Sequence, residues 1–509
     1  MHCMKREGWL LALLMTGLYV LGVTLTFWPV LASDVVFVAP DAPIQPLCLR
    51  EAFRVFFDLP SLQNLVLLFP YRWAYEGTFW VDGYVMLLAG VLLLRSRGVN
   101  WGAAWVGGLC AAFMGYFFTL FCAGHRGVVD ALATSCLAFG LLSCGMQNLR
   151  WGWFAALGLT LALGLGAQAD IWLLTCCALT AYGVWLLSAE RGERPWRPWL
   201  GAVAARMALT ATLFLLVGTP ALRHTFGAAQ ETRTAQLTQA TAHASTPEAA
   251  RAAAWEFTTN WSLPPEDLLE WLLPDIHGRT SYPFDPKPYT GRMGTNDFAL
   301  RQHSLFVGWL TLLLAGAAWA GRGLGRTPRE RLFWLCLAGT TLLLALGRFT
   351  PCYHLIAWVP GLRSIRAPVK WLHLTGFALA ILAGFGAERL LQKLPHPGTR
   401  RIGALALGLG ITLCGAWVAR GYVFPRNLAH NRLTAALPPG ATLYDGLGWP
   451  QLRDICQWQG IPLCDRPEAA DYVVAPVPQS RLKPIATLSE RGWLLGLYRL
   501  PESLKRRNR

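Results

Sequence analysis

The sequence predicts an all-α polytopic membrane protein of about eleven transmembrane helices, followed by a small C-terminal α/β extramembrane domain. Three observations carry this. Of the 509 residues, 54% are hydrophobic and only 15% charged, with a mean hydropathy of +0.36, a composition suited to lipid rather than water. Apolar runs close to the ~20 residues that cross a bilayer core recur along the chain. After residue 421 the long runs give way to short alternating segments bounded by turn residues.

In chain order the spans are read at 9–31, 80–94, 101–123, 128–147, 151–169, 171–188, 199–219, 304–320, 331–347, 371–388 and 402–421. The first follows "MHCMKREG", a basic start like that of a signal peptide. No small-residue cleavage site closes a short apolar core, so it is read as a span. Basic residues then fall in alternate loops: Lys5 and Arg6, Arg95 and Arg97, Arg150, "RGERPWRPW" at 191–199, "GRGLGRTPRER" at 321–331 and "ERLLQKLPHPGTRR" at 388–401. By the positive-inside rule this predicts a plasma-membrane protein with a cytoplasmic N-terminus and an external C-terminal domain.

The net charge of +16 is then mostly a topology signal. No basic patch is interleaved with aromatics in a soluble unit, so nucleic acid is not an expected partner. Most cysteines, such as Cys110, Cys136 and Cys144, fall inside apolar spans and read as small hydrophobes. No Cys/His spacing suggests zinc. Cys456 and Cys464 fall on the oxidising side, where a disulfide is possible.

Three external loops hold most of the remaining polarity. Loop 32–79 contains Asp34 and Asp41 in "ASDVVFVAPDAP" and an amphipathic stretch, "REAFRVFFDLPSLQNLVLLFPYRW", that reads as lying along the membrane interface. Loop 220–303 passes through an Ala/Thr/Gln-rich piece to "SLPPEDLLEWLLPDIHG", where paired prolines and early acidic residues suit a helix start. Asp275 and His277 follow; a metal set with Asp41 and a plain polar rim are both open readings, and a divalent cation is the only cofactor considered. Loop 348–370, "RFTPCYHLIAWVPGLRSIRAPVK", is interrupted by three prolines and reads as a broken helix lining a cavity. It places Arg348, Arg363, Arg366 and Lys370 on the side that otherwise lacks basic residues. A lipid-linked phosphate and anionic headgroups are the two anions these cations could meet.

Between spans three and four, "GHRGVVDALATSC" puts His125, Arg126 and Asp130 at the same external interface. Asp130 lies a turn inside the fourth span, where an ionisable group implies a partner. Arg126 is the nearest candidate, and contact of His125 with a substrate is the alternative use of the turn.

The order of these features resembles the YfhO-like membrane proteins of the GT-C glycosyltransferase superfamily. The resemblance rests on the acidic loop after span one, the "GH" after span three, the Pro-rich "LLP…G" segment and, above all, "VPGLRSIRAPVKWLHLTGFALAILAGFGAERL". Lys370 stands near the family's second arginine, keeping a cation without the bidentate fork. The resemblance spans 1–421 as a GT-C-like transmembrane domain. It implies a membrane glycosyltransferase that moves a sugar from a polyprenyl-phosphate donor to a glycan, lipid or protein acceptor on the external face. It also implies a general base in the first loop, Asp41 first and Asp34 second, and phosphate binding by the basic segment. Independently of any family, an attacking sugar hydroxyl needs a carboxylate to take its proton, and a leaving phosphate needs cations. Since the pattern looks bacterial, the sequon Asn260-Trp261-Ser262 is discounted.

Segment 422–509 reads as the α/β domain: strands in "GATLYDGLGW" and "ADYVVAPV", a helix over "PQLRDICQWQG", and a hairpin around Glu490-Arg491-Gly492. It carries no phosphate-cradling loop or nucleophile constellation. The competing reading of the whole chain is a non-enzymatic transporter, flippase or assembly factor for lipid-linked glycans, which would place charged residues within the spans.

Overall fold

The computed structural model describes residues 6–31, 35–37, 60–62, 74–117, 120, 125–278, 304–319, 328–356, 362 and 365–423. In the C-terminal region it describes 428–430, 437–438, 440–445, 456, 461–464, 466, 469–476, 484–490 and 493–499. Helices occupy the predicted spans: α1 (Arg6–Leu31), α2 (Ala74–Ser96), α3 (Trp101–Ala112), α4 (Arg126–Asn148), α5 (Trp151–Ala167), α6 (Ala169–Glu190) and α7 (Trp196–His224). The polar loop that follows forms α8 (Gln230–Thr241) and α9 (Pro247–Thr259), and the chain then returns through α10 (Trp309–Ala317), α11 (Pro328–Ala345), α12 (Leu372–Gln392) and α13 (Pro397–Val423). Seven segments among the described residues are long and apolar enough to cross a membrane.

The span expected over 304–320 is helical only from Trp309. Gly308 takes a φ of +97° at its cap, and Ser304 Oγ accepts from the Phe306 N–H, 3.2 Å, in the extended lead-in. The paired prolines start a 3₁₀ helix, Pro265–Trp271, rather than an α-helix. At α9 the local rules hold: Thr246 caps the Ala249 N–H, Pro247 occupies the first turn and Glu248 follows.

The bundle is centred on α4 and α12, the most buried of the membrane-length helices. α12 packs on α3, α10 and α11, α4 packs on α2, α5 and α6, and α1 packs on α13. Lipid offers no hydrophobic drive between helices, so close approach depends on small residues. A Cβ on Gly107 would lie 3.0 Å from the Gly384 Cα, joining α3 to α12, and one on Gly90 would lie 2.9 Å from the Gly108 Cα, joining α2 to α3.

One end of the bundle is tied by a buried ion triad. Arg97, just past α2, places Nη1 2.6 Å from Glu190 at the end of α6 and Nε 2.8 Å from Glu330 at the start of α11. Burial pulls the Arg97 pKa down, and the carboxylates of Glu330 and Glu190 more than reverse this. The triad fixes the alternation of the helices, so α2, α4, α6 and α12 all begin at the opposite end.

The C-terminal region forms a five-stranded sheet in the order β4-β3-β5-β7-β6, where β3 is Leu443–Asp445, β4 Leu463–Cys464, β5 Tyr472–Pro476, β6 Ala486–Glu490 and β7 Trp493–Arg499. β6 and β7 make the expected hairpin, with Glu490 opposite Trp493. The helix expected over 450–460 lies, except for Cys456, outside the described residues, and Cys456 and Cys464 are free thiols. A separate antiparallel pair joins β1 (Val35–Phe37) of the first loop to β2 (Leu428–His430), just after α13, with Val36 opposite Ala429.

Candidate functional site

The starts of α4, α6 and α12 converge on one polar layer. The segment entering α12 is set by Ala367-Pro368. A residue before proline is disfavoured in the α region, and Ala367 takes a φ of +67° before the 3₁₀ turn Pro368–Trp371. The Val369 N–H donates to the Trp261 carbonyl, 3.2 Å, and the Tyr116 hydroxyl donates to the Val369 carbonyl, 3.5 Å. Gly347, with φ +52°, has no room for a side chain: a Cβ would lie 2.1 Å from Ser262 Oγ and 2.7 Å from Pro368 Cγ.

That turn carries Lys370, whose ammonium pairs with Asp170 in the first turn of α6. Asp170 is itself fixed, because its Oδ1 accepts from the Ile171 N–H at 2.8 Å and a carboxylate is favoured at a helix N-terminus. One turn further in, buried His373 donates through Nδ1 to the Lys370 carbonyl, 2.6 Å, while its Nε2 lies 3.3 Å from Thr175 Oγ1. Thr175 Oγ1 is 2.6 Å from Ser135 Oγ on α4. The chain Lys370–His373–Thr175–Ser135 thus braces α12, α6 and α4 at the level of the ion pair.

Arg366 lies four residues before Lys370. Its guanidinium sits 4.8 Å over the Phe257 ring of α9, and its buried Nε has no hydrogen-bond partner among the described residues. Half-burial lowers its pKa from the ordinary guanidinium value. Arg348 is differently placed. Its Nη1 holds both Glu256 oxygens at 2.6 and 2.7 Å, its Nε donates to the Thr259 carbonyl at 3.3 Å, and its backbone N–H donates to Ser262 Oγ at 3.0 Å. Arg348 therefore fastens α9 to the basic segment. Trp255, stacked 4.2 Å over His354, reinforces the same contact.

Among the other candidates read from the sequence, Asp34, Asp41 and Arg363 lie outside the described residues. Arg126 opens α4 next to His125, and Asp130 is fully buried one turn later. Both charges act on Asp82 of α2, a buried carboxylate that sequence reasoning missed. Neither Asp82 oxygen has a hydrogen-bond partner among the described residues. The signal was a single acid in the apolar run "FWVDGY". His277 Nε2 contacts the Glu266 carbonyl, 3.1 Å, and lies 4.0 Å from the buried Asp267 carboxylate. Asp275 sits at φ +63° in the same loop. No group of three metal-ligating side chains occurs among the described residues.

The bundle and the C-terminal sheet give a mostly helical fold with several membrane-length helices and a small sheet at its C-terminal end. No family model matches the sequence, and no curated protein matches it. Among solved structures the chain is similar to ArnT from Cupriavidus metallidurans bound to undecaprenyl phosphate, with a TM-score of 0.50 and 12% identity over 97% of this chain and 98% of that one. The apo state of that protein gives 0.49 and 11%, with 98% and 99% covered. The archaeal oligosaccharyltransferase AglB from Archaeoglobus fulgidus, in complex with an inhibitory peptide and a dolichol-phosphate, gives 0.41 and 10%, with 91% and 69% covered. At these identities the likeness is one of fold, and the narrower YfhO-like grouping remains a resemblance of motifs.

Proposed function

We propose that the chain is a membrane glycosyltransferase that moves a sugar from a polyprenyl-phosphate donor to an acceptor on the external face of the plasma membrane. The observation that carries this reading is Arg366: a half-buried guanidinium without an anionic partner among the described residues, beside Lys370 on a broken segment at the mouth of the bundle. A cation held in that way is suited to a lipid-linked phosphate. The fold likeness to a protein solved with undecaprenyl phosphate supports the same donor class.

In the proposed reaction the acceptor hydroxyl oxygen attacks the anomeric carbon as the bond from that carbon to the phosphate oxygen breaks. Its proton passes to a carboxylate of the first loop, Asp41 or Asp34. The polyprenyl phosphate leaves as the monoester, its growing charge met by Arg366, Lys370 and Arg363. Pairing of β1 with β2 ties Val35–Phe37, which lie between Asp34 and Asp41 in sequence, to the region after α13.

A second reading, movement of lipid-linked glycans without transfer, draws on Asp82 and Asp130, two buried carboxylates within the spans. The test is sugar transfer in proteoliposomes, offering a panel of polyprenyl-phosphate sugars to wild type, Asp41→Asn and Asp34→Asn. Loss of turnover with donor binding kept in one variant supports the transferase. Binding without turnover in the wild type, or full rate in both variants, favours transport.

A further inference from the structure

Resting on the donor class just proposed, we infer that Asp170 is a positioning residue that tunes the charge of the phosphate site, so that it holds a phosphodiester donor and releases the phosphomonoester product. Arg366 and Lys370 bring two positive charges to the entry of α12, and Asp170 offsets one of them. A polyprenyl-phosphate sugar is a diester with a single negative charge. The lipid phosphate left after transfer is a monoester carrying about −1.5 to −2 at neutral pH. Two uncompensated cations in a partly water-excluded site would favour that product over the donor and slow its departure.

The geometry makes the offset permanent rather than incidental. Asp170 cannot follow an incoming anion, because Oδ1 is held by the Ile171 N–H, 2.8 Å, at a helix start. The Lys370 carbonyl accepts from His373 Nδ1 at 2.6 Å, which holds the Lys370 backbone at the entry of α12, and the ammonium pairs with Asp170. Both side chains are nonetheless partly exposed, Lys370 at 22% and Asp170 at 24%. A phosphate can therefore reach the ammonium while the carboxylate stays in place. An ammonium has three donors, so binding Asp170 does not exhaust it.

The test uses the purified full chain in detergent micelles and two probes of equal tail, undecaprenyl phosphate and its methyl phosphodiester, with affinities read by tryptophan quenching. For Asp170→Asn we expect the monoester-over-diester preference to rise about fivefold, the upper end for a partly exposed pair. Asp170→Glu should keep the wild-type ratio. The double variant Asp170→Asn with Lys370→Gln, which restores one net charge to the trio, should return the ratio toward wild type. Lys370→Gln alone is the mirror case, in which the monoester should lose more than the diester. An unchanged ratio in Asp170→Asn, or a double variant no closer to wild type than the single, overturns the inference. Failure of the wild type to bind either lipid overturns the donor assignment itself.

Discussion

Lys370 and Asp170, 200 residues apart in sequence, form an ion pair between the entry of α12 and the first turn of α6. The pair makes the broken segment part of the bundle, and His373 supports it from one turn deeper. Because His373 joins the Lys370 carbonyl to Thr175, His373→Ala strands a partly buried carbonyl and loosens both helices. We expect a loss of about 1–3 kcal/mol, the usual cost of leaving a buried polar group unpaired. Thermal unfolding in detergent measures it, and Thr175→Val should give a smaller loss.

At the far end of the bundle, Arg97 is the shared partner of Glu190 and Glu330, with side-chain exposures of 3%, 8% and 2%. Removing one member of a buried network is far costlier than replacing all of it. Arg97→Met should destabilise by about 3–5 kcal/mol, whereas Arg97→Met with Glu190→Gln and Glu330→Gln should recover most of that. Chemical denaturation of the purified variants is the check.

Helix contact predicts a contrast between two glycines. A Cβ on Gly386 would stand 1.7 Å from the Leu314 carbonyl oxygen, while one on Gly339 meets nothing within 4 Å. Gly386→Ala must push α10 away from α12 and should cost about 1–3 kcal/mol. Gly339→Ala should be neutral or stabilising, since it only improves helix propensity. A change of the same size in both would show that propensity rather than packing governs these helices.

The legible part of the molecule is the part written in composition and spacing. Residues 9–31 and 128–147 are predominantly apolar and form α1 and α4, and the alternation around Glu490-Arg491-Gly492 forms a hairpin. Span 304–320 was overread because apolarity alone does not reveal the left-handed backbone at Gly308. The candidate site was legible as charges out of place: Arg366 and Lys370 stood out against the loop pattern. Their partners were not. Asp170 has no Lys or Arg near it in sequence, and only the fold brings α6 to α12. Arg348 looked equivalent to Arg366 until Glu256 was seen to hold it. Pairings across hundreds of residues leave no local trace.

Arg348 and Arg366 therefore separate by experiment. Arg366→Ala should weaken binding of undecaprenyl phosphate by about 10- to 100-fold, as expected for a charge-assisted hydrogen bond, with little change in melting temperature. Arg348→Ala frees Glu256 and the end of α9, so it should lower the melting temperature and leave lipid affinity nearly unchanged. Titrating both variants with the lipid while recording their unfolding distinguishes the roles, and a common loss of affinity would place Arg348 in the phosphate site after all.

Asp82 supplies the last contrast. It is fully buried in α2, neither carboxylate oxygen has a hydrogen-bond partner among the described residues, and the charge of Asp130 acts on it alongside that of Arg126. A carboxyl held in this way costs stability whether it keeps its charge or takes up a proton. Asn has nearly the same shape without the charge, so Asp82→Asn should raise stability by about 1 kcal/mol. If sugar transfer is unaffected, the acid is a stability defect tolerated by the fold. If transfer or lipid movement falls while the protein becomes more stable, the acid is kept for function, because natural sites retain destabilising groups where activity requires them. Parallel melting and transport measurements on this one variant decide between the two, and a loss of stability would mean that Asp82 has a structural partner in the folded protein.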